Sequence, residues 1–354
     1  MDDVRGAKGR GAISNAAGRY EVHHSEAVDD GWYQDDVPTL RTNVSIERPR
    51  SVITKNTSPD LSFDRSINPY RGCEHGCVYC FARPSHAWLG LSPGLDFETE
   101  LIARPGAAEV LERELAKPSY RPKVIAIGTN TDPYQPIEKD YRVMRGVLEV
   151  LEAHQHPVAV TTKGTLIERD IDILSRMAKR GLARVGFTVT TLDRDVSRKM
   201  EPRVPNPARR LESIRRLTDA GIPVRVMVSP VVPALTDHEM EAILEAAATA
   251  GADAASWVML RLPLEVSPIF REWVEEAFPD RAARIMGRVR DLHGGKDYVS
   301  DWGRRMRGEG PFAELMAHRF KLACKRFGLT ENAPNLRADL FAVPPKAGDQ
   351  LSLF

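Results

Sequence analysis

Cysteine is scarce in this sequence, with four in 354 residues, and three of the four stand within eight positions. No evenly spaced set is left to build a disulfide framework. No uninterrupted apolar stretch is long enough to span a bilayer, and Met1-Asp2-Asp3-Val4-Arg5 places acids where a secretory signal needs an apolar core. Net charge is missing too: 50 basic residues against 49 acidic ones leave a formal +1, so no long-range field draws the chain to nucleic acid and any basic surface must be local. These absences argue against an exported, disulfide-stapled protein and against a membrane partner. The expectation is a cytoplasmic chain.

What the sequence does have is the loop Arg71-Gly72-Cys73-Glu74-His75-Gly76-Cys77-Val78-Tyr79-Cys80. Three thiolates so close together can take three corners of a cubane iron-sulfur cluster and leave the fourth iron open to a small chelating molecule. Gly72 and Gly76 let the backbone curl so that all three thiols point inward. The competing reading is a zinc site, with His75 or His86 as fourth ligand, stapling a noncatalytic binding module. Zinc sites usually come as two separated pairs, and no second pair follows.

Four segments are expected: a flexible arm over 1–45, a core over 46–262, a helical extension over 263–336, and a linker with a terminal peptide over 337–354. The arm is polar and lacks apolar periodicity. Gly18-Arg19-Tyr20-Glu21 and Trp32-Tyr33 are its candidate anchors. In the core, a strand within Leu61 to Asn68 leads into the cysteine loop. Strands then follow at Val124 to Gly128, Val158 to Thr162, Arg184 to Thr190, Val224 to Ser229 and Ala254 to Leu260. Helices are predicted over Gly106 to Lys117, Glu138 to His154, Glu168 to Lys179, Ala208 to Ala220 and Asp237 to Ala250, and Phe81 to Gly90 could be helical as well. Such alternation predicts an α/β fold with a parallel sheet and right-handed crossovers. Six strands alone fit an open doubly wound sheet as well as a barrel.

The Cys-x3-Cys-x2-Cys spacing, with Tyr79 before the last thiol, resembles the radical S-adenosylmethionine (SAM) superfamily. The longer stretch Ser66-Ile67-Asn68-Pro69-Tyr70-Arg71-Gly72-Cys73 through Cys80-Phe81-Ala82-Arg83-Pro84 is similar to its spore photoproduct lyase-like subgroup, the DNA repair photolyases. The likeness runs from about Arg48 to Leu336. It implies a partial (β/α)6 barrel, with the extended N-terminal arm and the helical C-terminal extension added to it. It also implies a [4Fe-4S] cluster on Cys73, Cys77 and Cys80, SAM as cosubstrate, and an electron donor as partner. The activity implied is reductive cleavage of SAM to a 5'-deoxyadenosyl radical that abstracts hydrogen from a nucleic-acid base. Radical SAM modification of an RNA or protein residue is the alternative.

In parallel α/β folds the ligand site gathers at the carboxyl ends of the strands. The resemblance places Thr129, Asn130 and Asp132, after the second strand, near the cosubstrate's amino group. It places Lys163, after the third, at the methionine carboxylate, Thr188 of the fourth beside the cosubstrate, and Tyr79 against the cluster. The prolines at the end of the fifth strand could frame the adenine. Spore photoproduct lyases return hydrogen from a cysteine near the second strand, and none stands there; Cys324 is the one spare thiol and reads as a small buried residue. No catalytic residue beyond these is assigned.

The extension is rich in arginine, including Arg281, Arg284, Arg288, Arg304, Arg305 and Arg307, with Tyr298 and Trp302 among them. That mixture suits DNA as a partner, although solvated helical faces look much the same. The chain ends in Gln350-Leu351-Ser352-Leu353-Phe354 after a Pro-containing tether, which resembles the clamp-binding pentapeptide of bacterial repair proteins and implies a sliding-clamp partner.

Overall fold

The structure is a computed structural model that describes residues 9–20, 40–332 and 335–345. Six strands run parallel: β1 (Arg65–Ile67), β2 (Ile125–Ile127), β3 (Val158–Thr162), β4 (Ala183–Thr188), β5 (Val224–Val231) and β6 (Ala254–Met259). They pair in chain order, and Thr54–Lys55 adds antiparallel to β1 at the outer edge. Among the described residues no strand joins β6 to that edge, so the barrel is partial.

Helices fill the crossovers: α1 (Ala107–Leu115), α2 (Val143–Ala153), α3 (Ile171–Lys179), α4 (Pro207–Asp219) and α5 (Met240–Thr249). Along β3 to β5 burial alternates. Val158, Val160, Val185 and Val226 disappear under the helices, while the less buried Thr161 and Met227 between them face the concave side. That alternation turns an apolar sheet into a barrel with a polar-lined mouth. Gly181 (φ 71°) and Gly221 (φ 77°) end α3 and α4 in the left-handed conformation that their sequence position predicts. Asn206 caps α4 through the backbone N–H of Arg209, with Pro207 in the first turn.

Two predicted helices differ from expectation. Glu138 to His154 is broken into Glu138–Tyr141 and α2, with Arg142 between them at φ 49°. The Glu138 carboxylate explains the break: it turns back to accept the N–H of Met144, at 3.2 Å, and so caps α2. Phe81 to Gly90 forms two 3-10 turns, Arg83–Ser85 and Ala87–Leu89, because Pro84 supplies no N–H to a longer helix.

The extension comprises α6 (Val266–Ala277), α7 (Pro279–Leu292) and α8 (Pro311–Phe327). Phe320 of α8 packs on Trp257 of β6, with ring centroids 6.0 Å apart, and α6 and α7 share an apolar cluster with Val78, Tyr79 and Leu260 at the barrel mouth. The loop after α7 crosses the open side of the barrel. Met259 N donates to Met306 O at 2.9 Å, and Asp60, ahead of β1, accepts from Arg305 Nε at 2.7 Å and from Gly303 N at 2.9 Å. Residues 335–342 pass beneath the sheet, where Phe341 packs on Tyr120 and His156.

Candidate active site at the cysteine loop

The cysteine loop follows β1 and is held from three sides. Residues 9–20 lie behind it. The N–H groups of Gly11 and Ala12 each donate to a Glu98 oxygen at 2.9 Å, and Gly11 lies so close that a Cβ there would fall 1.7 Å from Gly76 O. Arg83, fully buried, pairs with Glu98 at 2.5 Å and donates to the carbonyls of Cys77 and Gly94. From the loop after β2, Gln135 accepts from Glu74 N at 2.8 Å and donates to Gly72 O at 3.1 Å. From the segment after Met200, Val78 N reaches Met200 O and Arg203 N reaches His75 O.

Gly72 (φ 72°) and Gly76 (φ 67°) both occupy the left-handed region, as the curled loop requires. A Cβ on Gly76 would stand 2.6 Å from the Glu98 carboxylate. Cys73, Cys77 and Cys80 are free thiols that line one cavity of about 260 Å³. Tyr79, Thr129, Asn130, Asp132, Lys163 and Thr188, the residues predicted to serve the cosubstrate, line the same cavity. Ser229 and Pro230, at the end of β5, complete its floor.

The electrostatics suit a cationic cluster core. Burial pushes the Cys73 and Cys77 thiols well above the usual thiol range, and the Glu201 carboxylate adds to the effect at Cys77 while Lys163 opposes it. Thiolates are held here only where a positive centre compensates them. Among the described residues no three His, Cys, Asp or Glu side chains gather around a single ion position. A cubane takes one thiolate at each of three separate irons, and three thiols on one cavity offer that set.

Asp132 has a more structural role than the sequence suggests. Its carboxylate accepts from Thr162 Oγ1 at 2.6 Å, from Lys163 N at 2.7 Å and from Tyr134 N at 2.9 Å. His75 Nδ1 lies 3.4 Å from it, inside ion-pair range but without hydrogen-bond geometry. Burial raises the acid, yet His75, Thr162 and Lys163 outweigh it and hold Asp132 down at about 2. It thereby ties the ends of β2 and β3 to the cysteine loop.

Tyr79 is buried, and its hydroxyl donates to Glu201, which pairs in turn with the fully buried Arg210. Lys163 Nζ lies 5.8 Å from the centre of the Tyr79 ring. Nothing periodic in the sequence marks Glu201 and Arg210; a charged pair nine positions apart across a Pro-containing loop carries no recognisable signature. Phe81, Arg261 and Met306 also line the cavity and were not predicted. Cys324 lies buried on α8, where burial raises its thiol to about 11. Gln350 to Phe354, and the anchors Glu21 and Trp32-Tyr33, lie outside the described residues.

Residues 67–247 match the Radical SAM superfamily. An uncharacterized protein of Mycobacterium tuberculosis is 37% identical over 248 residues, covering 70% of this chain and 72% of that protein. The FeMo cofactor biosynthesis protein NifB of Klebsiella pneumoniae is 25% identical over 194 residues, 51% of this chain and 39% of its own. Among solved structures, spore photoproduct lyase complexed with dinucleoside spore photoproduct superposes with a TM-score of 0.58 at 16% identity, covering 81% of each chain, a likeness of fold. The chain belongs to the radical SAM superfamily, a superfamily of enzymes whose cofactors are a [4Fe-4S] cluster and SAM.

Proposed function

We propose that this radical SAM enzyme abstracts hydrogen from a nucleic-acid base, in a reaction related to that of spore photoproduct lyase. The observation that carries the reading is the convergence of three free thiols, the polar strand ends and an aromatic- and arginine-lined mouth on one cavity. When bound, the cluster and SAM supply a 5'-deoxyadenosyl radical by one-electron reductive cleavage.

The chain's own residues bind, orient and exclude water. Cys73, Cys77 and Cys80 would hold the cluster. Lys163 offers an ammonium to a carboxylate, and Thr129, Asn130 and Thr188 offer hydroxyl and amide groups on the same wall. Asp132 fixes the backbone of Lys163, faces His75, and keeps acceptor capacity beyond its three hydrogen bonds. Leu61, Phe63 and Met306 form an apolar rim that can exclude water from the reacting carbon. A base must leave a duplex to enter such a recess.

Support for the nucleic-acid reading comes from the exposed Trp302, with Arg305 4.2 Å over its ring, on the loop that supplies Met306 to the rim. Several arginines of the extension are already paired, Arg305 itself with Asp60, Arg290 with Asp297 and Arg319 with Glu241, so the basic surface is smaller than the sequence implies. The test is label transfer: the cluster-loaded protein, SAM and a reductant are incubated with perdeuterated DNA. Deuterium in the 5'-deoxyadenosine supports the reading, and deuterium arriving only from perdeuterated RNA or protein refutes it.

A further inference from the structure

Three arginines of the barrel each pair with a carboxylate: Arg83 with Glu98, Arg210 with Glu201 and Arg169 with Glu138. Arg261 does not. It stands just past the end of β6, partly buried, and lines the cavity beside Cys80, Phe81 and Met306. Among the described residues no carboxylate lies within ion-pair distance of it. The Tyr298 hydroxyl, the Arg305 guanidinium and the Cys80 thiol are the groups that face it.

A half-hidden guanidinium with no acid is costly unless an anion arrives. Here the approach is open from the cavity. The Arg261 guanidinium carbon lies 4.2 Å from the centre of the Phe81 ring, and that ring is 44% exposed. A planar cation beside an exposed aromatic face is a pair of surfaces on which a phosphate and a stacked base can be held at once. The neighbouring Trp302 carries Arg305 4.2 Å over its ring, and that arginine is already paired with Asp60.

We infer that Arg261 binds a phosphodiester of the substrate, with Phe81 stacking on the adjoining base, so that the strand's own anion orients the base over the cavity. This rests on the nucleic-acid reading above and names the residue that recognises the backbone.

The test compares binding of thymidylyl-thymidine with that of its uncharged methylphosphonate analogue, using the cluster-loaded protein with SAM. Wild type should prefer the phosphodiester by roughly 10- to 100-fold, the worth of one charge-assisted contact. Arg261→Gln should erase that preference and Arg261→Lys should restore part of it, with iron content per chain checking that each variant is intact. If Arg261→Gln keeps the preference, or if it weakens SAM binding instead, the inference is overturned while the nucleic-acid reading stands. If wild type binds neither dinucleotide, the nucleic-acid reading itself fails and takes the inference with it.

Discussion

The hydroxyl of Tyr79 donates to Glu201, and Glu201 is the counter-ion of Arg210, so the residue between two cluster cysteines is moored to a fully buried ion pair on another part of the barrel. Glu201→Gln should leave the Arg210 charge stranded and cost about 3–5 kcal/mol, whereas Tyr79→Phe removes a single bond to a charged group and should cost about 1.5–3 kcal/mol. Urea unfolding of the two variants reads the difference. Equal, small losses would show that the pair does not moor the loop.

Lys163 follows β3, faces the cavity and has its backbone fixed by Asp132. Lys163→Met should raise the dissociation constant for SAM by roughly 10- to 100-fold, as loss of one charge-assisted bond predicts. Titration calorimetry on cluster-loaded protein measures it, and an unchanged constant would remove Lys163 from the cosubstrate site.

His156 gives the fold a pH dependence far from the cysteines. Fully buried between Tyr120 and Phe341, it is depressed by burial to about 4, against an ordinary value of 6.5. Because the folded form resists protonation, the stability tied to this residue is present above pH 6.5, is lost as the pH falls from about 6.5 to about 4, and is level below that. The full loss is about 3 kcal/mol. A His156→Gln variant should show a flatter acid limb than wild type in denaturant unfolding over that range, and parallel limbs would contradict the assignment.

The terminal peptide is a separate proposal. Deleting Gln350 to Phe354 should abolish binding to a bacterial sliding clamp in surface plasmon resonance without moving the unfolding curve. Retained clamp binding would assign the contact elsewhere.

Much of the barrel was legible in the sequence because each strand is a short β-branched run and each helix an amphipathic one, with Gly181 and Gly221 marking real helix ends. The site walls were legible for the same reason: strand ends in a parallel sheet converge, so Thr129, Asp132, Lys163 and Thr188 meet although they lie far apart in the chain. What was hidden depends on long-range pairing of charge. Glu138 breaks a helix by folding back on Met144, Glu98 gathers Gly11, Ala12 and Arg83, and Asp60 finds Arg305 more than two hundred residues away. Local periodicity carries no trace of such contacts. Arg261 was hidden by the reverse circumstance, since its lack of an acid is visible only once its surroundings are assembled.

The most direct test is anaerobic reconstitution with iron and sulfide, followed by reduction in the presence of SAM and assay for 5'-deoxyadenosine, with Cys77→Ala as control. The account predicts about four irons per chain and 5'-deoxyadenosine that disappears in the control. A protein that takes up zinc in place of iron, or that holds the cluster and never cleaves SAM, would contradict it.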